Sequence, residues 1–124
     1  MDKYQALQSF WSSYGLPAYD ESTVPDSDDR PTMPYITYNA VTSNLGTPVA
    51  MSASLWDYGT SWSRITTKMT EIQSDIGRGG RIVICDEGAI WIKQGTPFAQ
   101  RMSDSNDMIR RIVMNIEAEF LTAN

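Results

Sequence analysis

The last strand is read from about Met108 to Leu121, and from Arg111 to Phe120 its residues alternate. Ile112, Met114, Ile116, Ala118 and Phe120 fall on one side, and Arg111, Val113, Asn115, Glu117 and Glu119 on the other. A period of two held this long is a β-strand with one buried and one half-wet face. At about 3.3 Å per residue it would span roughly 40 Å, long for a small domain, so part of it is expected to project from the compact body. The rest of the chain has to supply a sheet around this strand and a cover for its apolar side.

Two segments offer that cover. Residues 2–14 carry Tyr4, Leu7, Phe10, Trp11 and Tyr14 at spacings of three and four, with Asp2 as a cap and Gly15–Pro17 as a stop. Residues 61–76 place Trp62, Ile65, Met69, Ile72 and Ile76 on one stripe, with Arg64, Lys68, Glu71 and Asp75 opposite. Thr60 or Ser61 can cap this second helix, and Gly77 can end it in the left-handed region.

Further strands are read from "PYITYNAV" and "TPVAMSASLW", joined around Asn44–Gly46, and from "RIVIC" and "AIWIK" around the "DEG" turn with Gly88. Residues 15–34 differ. Between positions 17 and 34 stand four prolines and five acids, which predicts an extended surface connection able to reach a neighbouring subunit. The predicted architecture is a single domain, 1–124, of the α+β class. Its sheet, within 35–121, has four to five mainly antiparallel strands packed by two helices, in the order α–β–β–α–β–β–β.

Chemistry is sparse. The 124 residues include no histidine, which removes Ser–His–Asp and Cys–His arrangements and the usual zinc sites. Cys85 stands alone in an apolar strand; it reads as an inert core thiol and fits a reducing compartment. "GRGGR" (Gly77 to Arg81) has the glycine content of a phosphate loop, but it closes a helix instead of opening one. Asp26, Asp28 and Asp29 lie in the Pro-rich connection, Asp86 and Glu87 in a turn, and neither cluster has calcium-loop spacing. No catalytic, cofactor-binding or metal-binding residue is assigned, and no enzyme activity is expected. A metal-dependent hydrolase using Asp28 and Asp29 is the remote alternative.

The formal charge of −5 disfavours a grip on nucleic acid. No apolar run approaches a membrane span, and the N-terminus lacks the pattern of a secretory signal. Four tryptophans and six tyrosines suit a core and equally suit subunit contacts. For Trp56, whose face otherwise holds Ala and Ser, the two readings are even.

The stretches "YITYNAV", "SASLWDYGTSWSRI", "GAIWIKQGTPFAQRMSD" and "IRRIVMNIEAEFL" give the chain a likeness to a known group. It resembles the small tail terminator, or tail-completion, proteins of long-tailed siphovirus-type phages of Gram-positive hosts, also described as minor capsid or head–tail joining proteins. The likeness runs roughly from Tyr35 to Leu121 and rests on the ordered combination, since none of the stretches is a catalytic signature. It implies a structural subunit of the virion neck, made in the host cytoplasm, that forms a homo-hexameric ring on the head-proximal end of the tail tube. Such a ring halts tube growth and offers a docking face to the head connector or stopper protein. A head-completion or stopper protein of the connector is the alternative within the same setting.

On that reading "QGTPFAQRMSDSNDMIRR", 94–111, is a long inter-strand segment used for contact. Phe98, Arg101, Met102, Asp104, Asp107, Arg110 and Arg111 are its expected interface residues, together with Trp56, because aromatic and Arg side chains are common anchors. The bland alternative is a solvated loop closing a hairpin. Glu117 and Glu119 are expected to line a lumen through which DNA slides without specific binding.

Overall fold

A computed structural model describes residues 1–23, 32–43 and 45–122. Helix α1 (Lys3–Ser12) opens with a capping box: Asp2 Oδ1 accepts from the Gln5 amide at 2.8 Å, and Gln5 Oε1 accepts from the Asp2 amide at 2.9 Å. Strands β1 (Ala18–Asp20), β2 (Tyr35–Tyr38) and β3 (Pro48–Tyr58) follow, then helix α2 (Ser63–Ile76). Strands β4 (Arg81–Cys85), β5 (Gly88–Met102) and β6 (Ile109–Thr122) complete the chain. Among the described residues no helix is long and apolar enough to cross a membrane.

The expected fold is overturned in strand number, order and character. The described residues form one six-stranded mixed sheet, β1-β2-β3-β6-β5-β4, in chain order α–β–β–β–α–β–β–β. Strand therefore dominates, in place of the α+β balance with four to five mainly antiparallel strands. The unforeseen strand is β1, which pairs parallel to β2 inside the supposed Pro-rich connection. Pro17 does not block it, because the Pro17 carbonyl still accepts from the Ile36 amide at 2.8 Å.

The second correction concerns 94–102. These residues are strand, not loop. β5 continues through a register shift between Gln94 and Ala99 and pairs with β6 again at Ala99–Met102. The four residues 95–98 are absorbed as a bulge, where Asn115 Nδ2 donates to the Pro97 carbonyl at 3.0 Å. A Cβ on Gly95 would lie 2.9 Å from the Asn115 carbonyl, so glycine allows the close approach of the two strands. Only 103–108 remain as the connection.

One face of the sheet holds the core. Met51, Ala53 and Leu55 of β3 stand opposite Ile116, Met114 and Ile112 of β6, while Ile90 and Ile92 of β5 stand opposite Phe120 and Ala118. All are buried. Helix α2 covers this face with Ile65, Ile72 and Ile76, and α1 with Ala6, Leu7, Phe10 and Trp11. Helix α1 touches both β1 and β4, which are the two edges of the sheet. Six strands laid flat would span about 24 Å at about 4.8 Å spacing, twice a helix diameter. The sheet therefore curls around α1, and its other face is left on the outside.

A polar lock joins the helices to the β4 edge. Tyr14 Oη donates to Asp75 Oδ2 at 2.7 Å, and Arg81 Nη1 donates to the same oxygen at 2.6 Å. The Tyr14 hydrogen bond, then Arg81, holds the Asp75 carboxyl below its usual range against the opposing effect of burial. Burial first, then Asp75, pushes the Tyr14 phenol up. The two ends of the pH scale follow. Asp75 stabilises the fold above about pH 4 and loses that contribution as the solution is acidified through its depressed pKa. Tyr14 stabilises it below about pH 10 and loses that contribution above, as the unfolded chain ionises first. The carboxylate is 43% exposed, so its share is about 1 kcal/mol or less. Tyr14→Phe is expected to flatten the alkaline loss of stability and to move the Asp75 carboxyl resonance titration upward. An unchanged Asp75 titration in that variant would contradict the lock.

Candidate interaction surfaces

Two surfaces stand out, at opposite ends of the long β5–β6 pair. The first is built where β3 leads into α2. Asp57 is buried, and its carboxylate takes Arg64 Nη2 at 2.5 Å and Nε at 3.1 Å, a fork that fixes the first turn of α2 to the end of β3. Ser61 Oγ accepts from the Ser63 amide at 3.1 Å, but the N-cap position itself is Trp62. This helix starts two residues later than the predicted 61. The indole of Trp62 is thereby held at the mouth of a cleft of about 320 Å³, also lined by Arg101, Met102, Asp104, Asn106, Asp107, Ile109 and Arg110.

The Arg101 guanidinium carbon lies 4.6 Å from the Trp62 ring centroid and that of Arg110 lies 5.5 Å from it. Both cations therefore lie against the one indole. Arg110 Nη1 donates to the Asp107 and Ile109 carbonyls, while its buried Nε has no partner among the described residues. Asp104 Oδ1 accepts from the Asn106 amide at 2.9 Å, so this acid shapes the turn.

Of the predicted interface residues, Arg101, Met102, Asp104, Asp107 and Arg110 are thus brought together. Arg111 and Trp56 form a separate pair on the outer face. They are register partners on β6 and β3, with the guanidinium 4.7 Å from the indole centroid. Arg111 Nε donates to Ser54 Oγ and Trp56 Nε1 to Thr37 Oγ1. Phe98 is 8% exposed and packs within its own subunit, so no projecting Phe98 anchor exists in the single chain. Glu117 and Glu119 are half-buried on the outer face, opposite Lys93 and Trp91 of β5. Asp26, Asp28, Asp29 and Asn44 lie outside the described residues. Among the described residues no group of three or more acids or thiols is placed to hold a metal ion.

The second surface was not singled out from sequence. Ile82 is 50% exposed, Ile84 69% and Leu121 40%. They are neighbours on the outer face: Ile84 stands opposite Ala89, which stands opposite Leu121, and Ile82 stands opposite Trp91. Neither Ile82 nor Ile84 makes a main-chain hydrogen bond beyond its ladder among the described residues. The signal was present in "RIVIC". Arg81, Val83 and Cys85 take the core side, so Ile82 and Ile84 are left outward on an edge strand that is apolar on both faces.

No protein-family model and no curated protein sequence matches the chain. A solved structure matches it at 12% sequence identity, covering 94% of this chain and 93% of its own, with a TM-score of 0.56. At that identity the likeness is one of fold alone: another chain of similar length follows a similar path from end to end.

Proposed function

We infer that this chain is a structural assembly protein that forms a closed homo-oligomeric ring, hexameric by resemblance, at the head-proximal end of a phage tail tube. In that place it stops tube growth and presents a docking face to the head connector. The sequence likeness to tail terminators supplies the setting. The observation that carries the self-association is the apolar patch of Ile82, Ile84 and Leu121 on an edge strand.

A free subunit loses by leaving such a patch in water, at about 25 cal/mol per Å². A neighbouring copy that covers it uses a different part of its own surface, and head-to-tail contacts of that kind close into a ring when the rotation between neighbours divides the circle. The half-buried acids Glu117 and Glu119 adjoin the patch on the outer face, and they keep that face unattractive to DNA phosphates wherever it borders the lumen. Assembly of tails with and without this chain tests the reading. Tubes formed without it are expected to run past native length and stay unattached to heads. Cross-linking of the chain to the tail tube protein, and not to the portal-side adaptor, separates a terminator from a stopper.

A further inference from the structure

We propose that the cleft between Trp62, Arg101 and Arg110 is a docking site for an acidic peptide segment of a partner protein, with one carboxylate received between the two guanidinium groups. The cleft lies roughly 30 to 40 Å along β5 from the apolar patch, at about 3.3 Å per residue. It is therefore a second surface, and its occupation does not depend on ring formation.

Three features point to a carboxylate. The Arg101 side chain makes no hydrogen bond or ion pair among the described residues; its contact is with the Trp62 indole. A guanidinium stacked in this way keeps its planar fork of donors free and pre-oriented, which suits bidentate capture of a carboxylate. Arg110 makes no ion pair among the described residues either, and its buried Nε–H lacks an acceptor. The free fork of Arg101, beside a second guanidinium that has no ion pair among the described residues, can be completed by an anion from outside, with Asp104 and Asp107 balancing the charge of the cleft in its absence.

The rest of the lining chooses among anions. Trp62, Met102 and Ile109 give apolar contact to the backbone and aliphatic parts of a peptide, and Ser103 and Asn106 offer polar partners. Asp104 and Asp107 line the same cleft. Their charge opposes a run of phosphodiesters passing over the cleft, in a chain whose net charge is already −5.

The test uses the whole protein and four probes: an N-acetylated, C-amidated Gly-Glu-Asp-Glu-Gly peptide, its Gln/Asn counterpart, oligodeoxythymidylate and inorganic phosphate. Binding is read by NMR from the Trp62 indole N–H and the Arg101 and Arg110 Nε–H resonances. The acidic peptide is expected to shift these three signals saturably, and the Gln/Asn peptide to bind at least about tenfold more weakly. Arg101→Ala should reduce acidic-peptide binding about tenfold. Arg101→Lys, which keeps the charge but loses the fork, should recover only part of it. Asp104→Asn should leave it equal or tighter. Equal binding of the two peptides, tighter binding of oligodeoxythymidylate or phosphate, or no saturable shift up to about 5 mM peptide would each overturn the proposal. Because the readout is on the single chain, a failure here leaves the ring reading standing, and a failure of ring formation leaves this result intact.

Discussion

Replacing Gly88 with alanine is expected to destabilise the protein by about 3 kcal/mol or more, enough to leave much of the chain unfolded at moderate urea. Gly88 has φ +144° and opens β5 immediately after the Asp86–Glu87 turn. An added Cβ would lie 2.2 Å from the Leu121 carbonyl oxygen. The obstacle is main chain of β6, so no side-chain rotation relieves it. Relief requires moving β5 away from β6 where Gly88 pairs with Thr122, beside the Ile90–Phe120 contact in the core. Gly46 provides the contrast. Its φ is +75° but nothing lies within 4 Å of its added Cβ, so Gly46→Ala should cost only the left-handed strain, about 1 kcal/mol. Urea midpoints of the two variants check this. Equal losses would mean that the close approach at Gly88 has little energetic consequence.

The second large effect is on assembly. The double substitution Ile82→Asp, Ile84→Asp is expected to abolish the ring while costing the folded subunit about 2 kcal/mol or less. Both side chains already face water in the single chain, so charge there costs the monomer less than it costs the ring. In the ring each new carboxylate would have to lose its water without gaining a partner, a penalty of several kcal/mol per contact repeated around the circle. Native mass spectrometry beside tail tubes reads the oligomer, and urea unfolding reads the subunit. A double variant that still closes into rings would place the subunit contact elsewhere. Loss of the fold itself would show that the outer face of β4 is already needed within one chain.

The helical stripe of α2 and the alternation of β6 were legible because each is long and each has one face committed to a core. Ile65, Ile72 and Ile76 repeat over several turns, and Ile112 to Phe120 over five alternate positions. β1 was hidden for the opposite reason. Three residues carry no period, and a parallel partner gives no hairpin turn to announce it. Its support is long-range: Gln8 Nε2 donates to the Ala18 carbonyl at 2.8 Å, and Tyr19 packs edge-on to Tyr35.

The β5 extension was hidden by its own composition. Gly95, Thr96 and Pro97 are turn formers locally, yet here they form a bulge because β6 offers an unbroken ladder on the other side. That one misreading also misplaced Phe98, which the continuing strand turns inward. The cleft was half visible. Its arginines and acids lay within one recognised segment, but their convergence on Trp62 depends on the Asp57–Arg64 fork, which no local spacing encodes.

On the proposed function, the exposed patch on β4 is covered by another copy of the chain at the end of a tube. Imaging of tail tubes assembled in the presence of the protein tests it most directly. The expected result is a closed ring of this chain seated on one end of tubes of uniform length, with Ile82 and Ile84 inside the seam between neighbours. Tubes of uniform length with bare ends, and the protein still monomeric beside them, would contradict it.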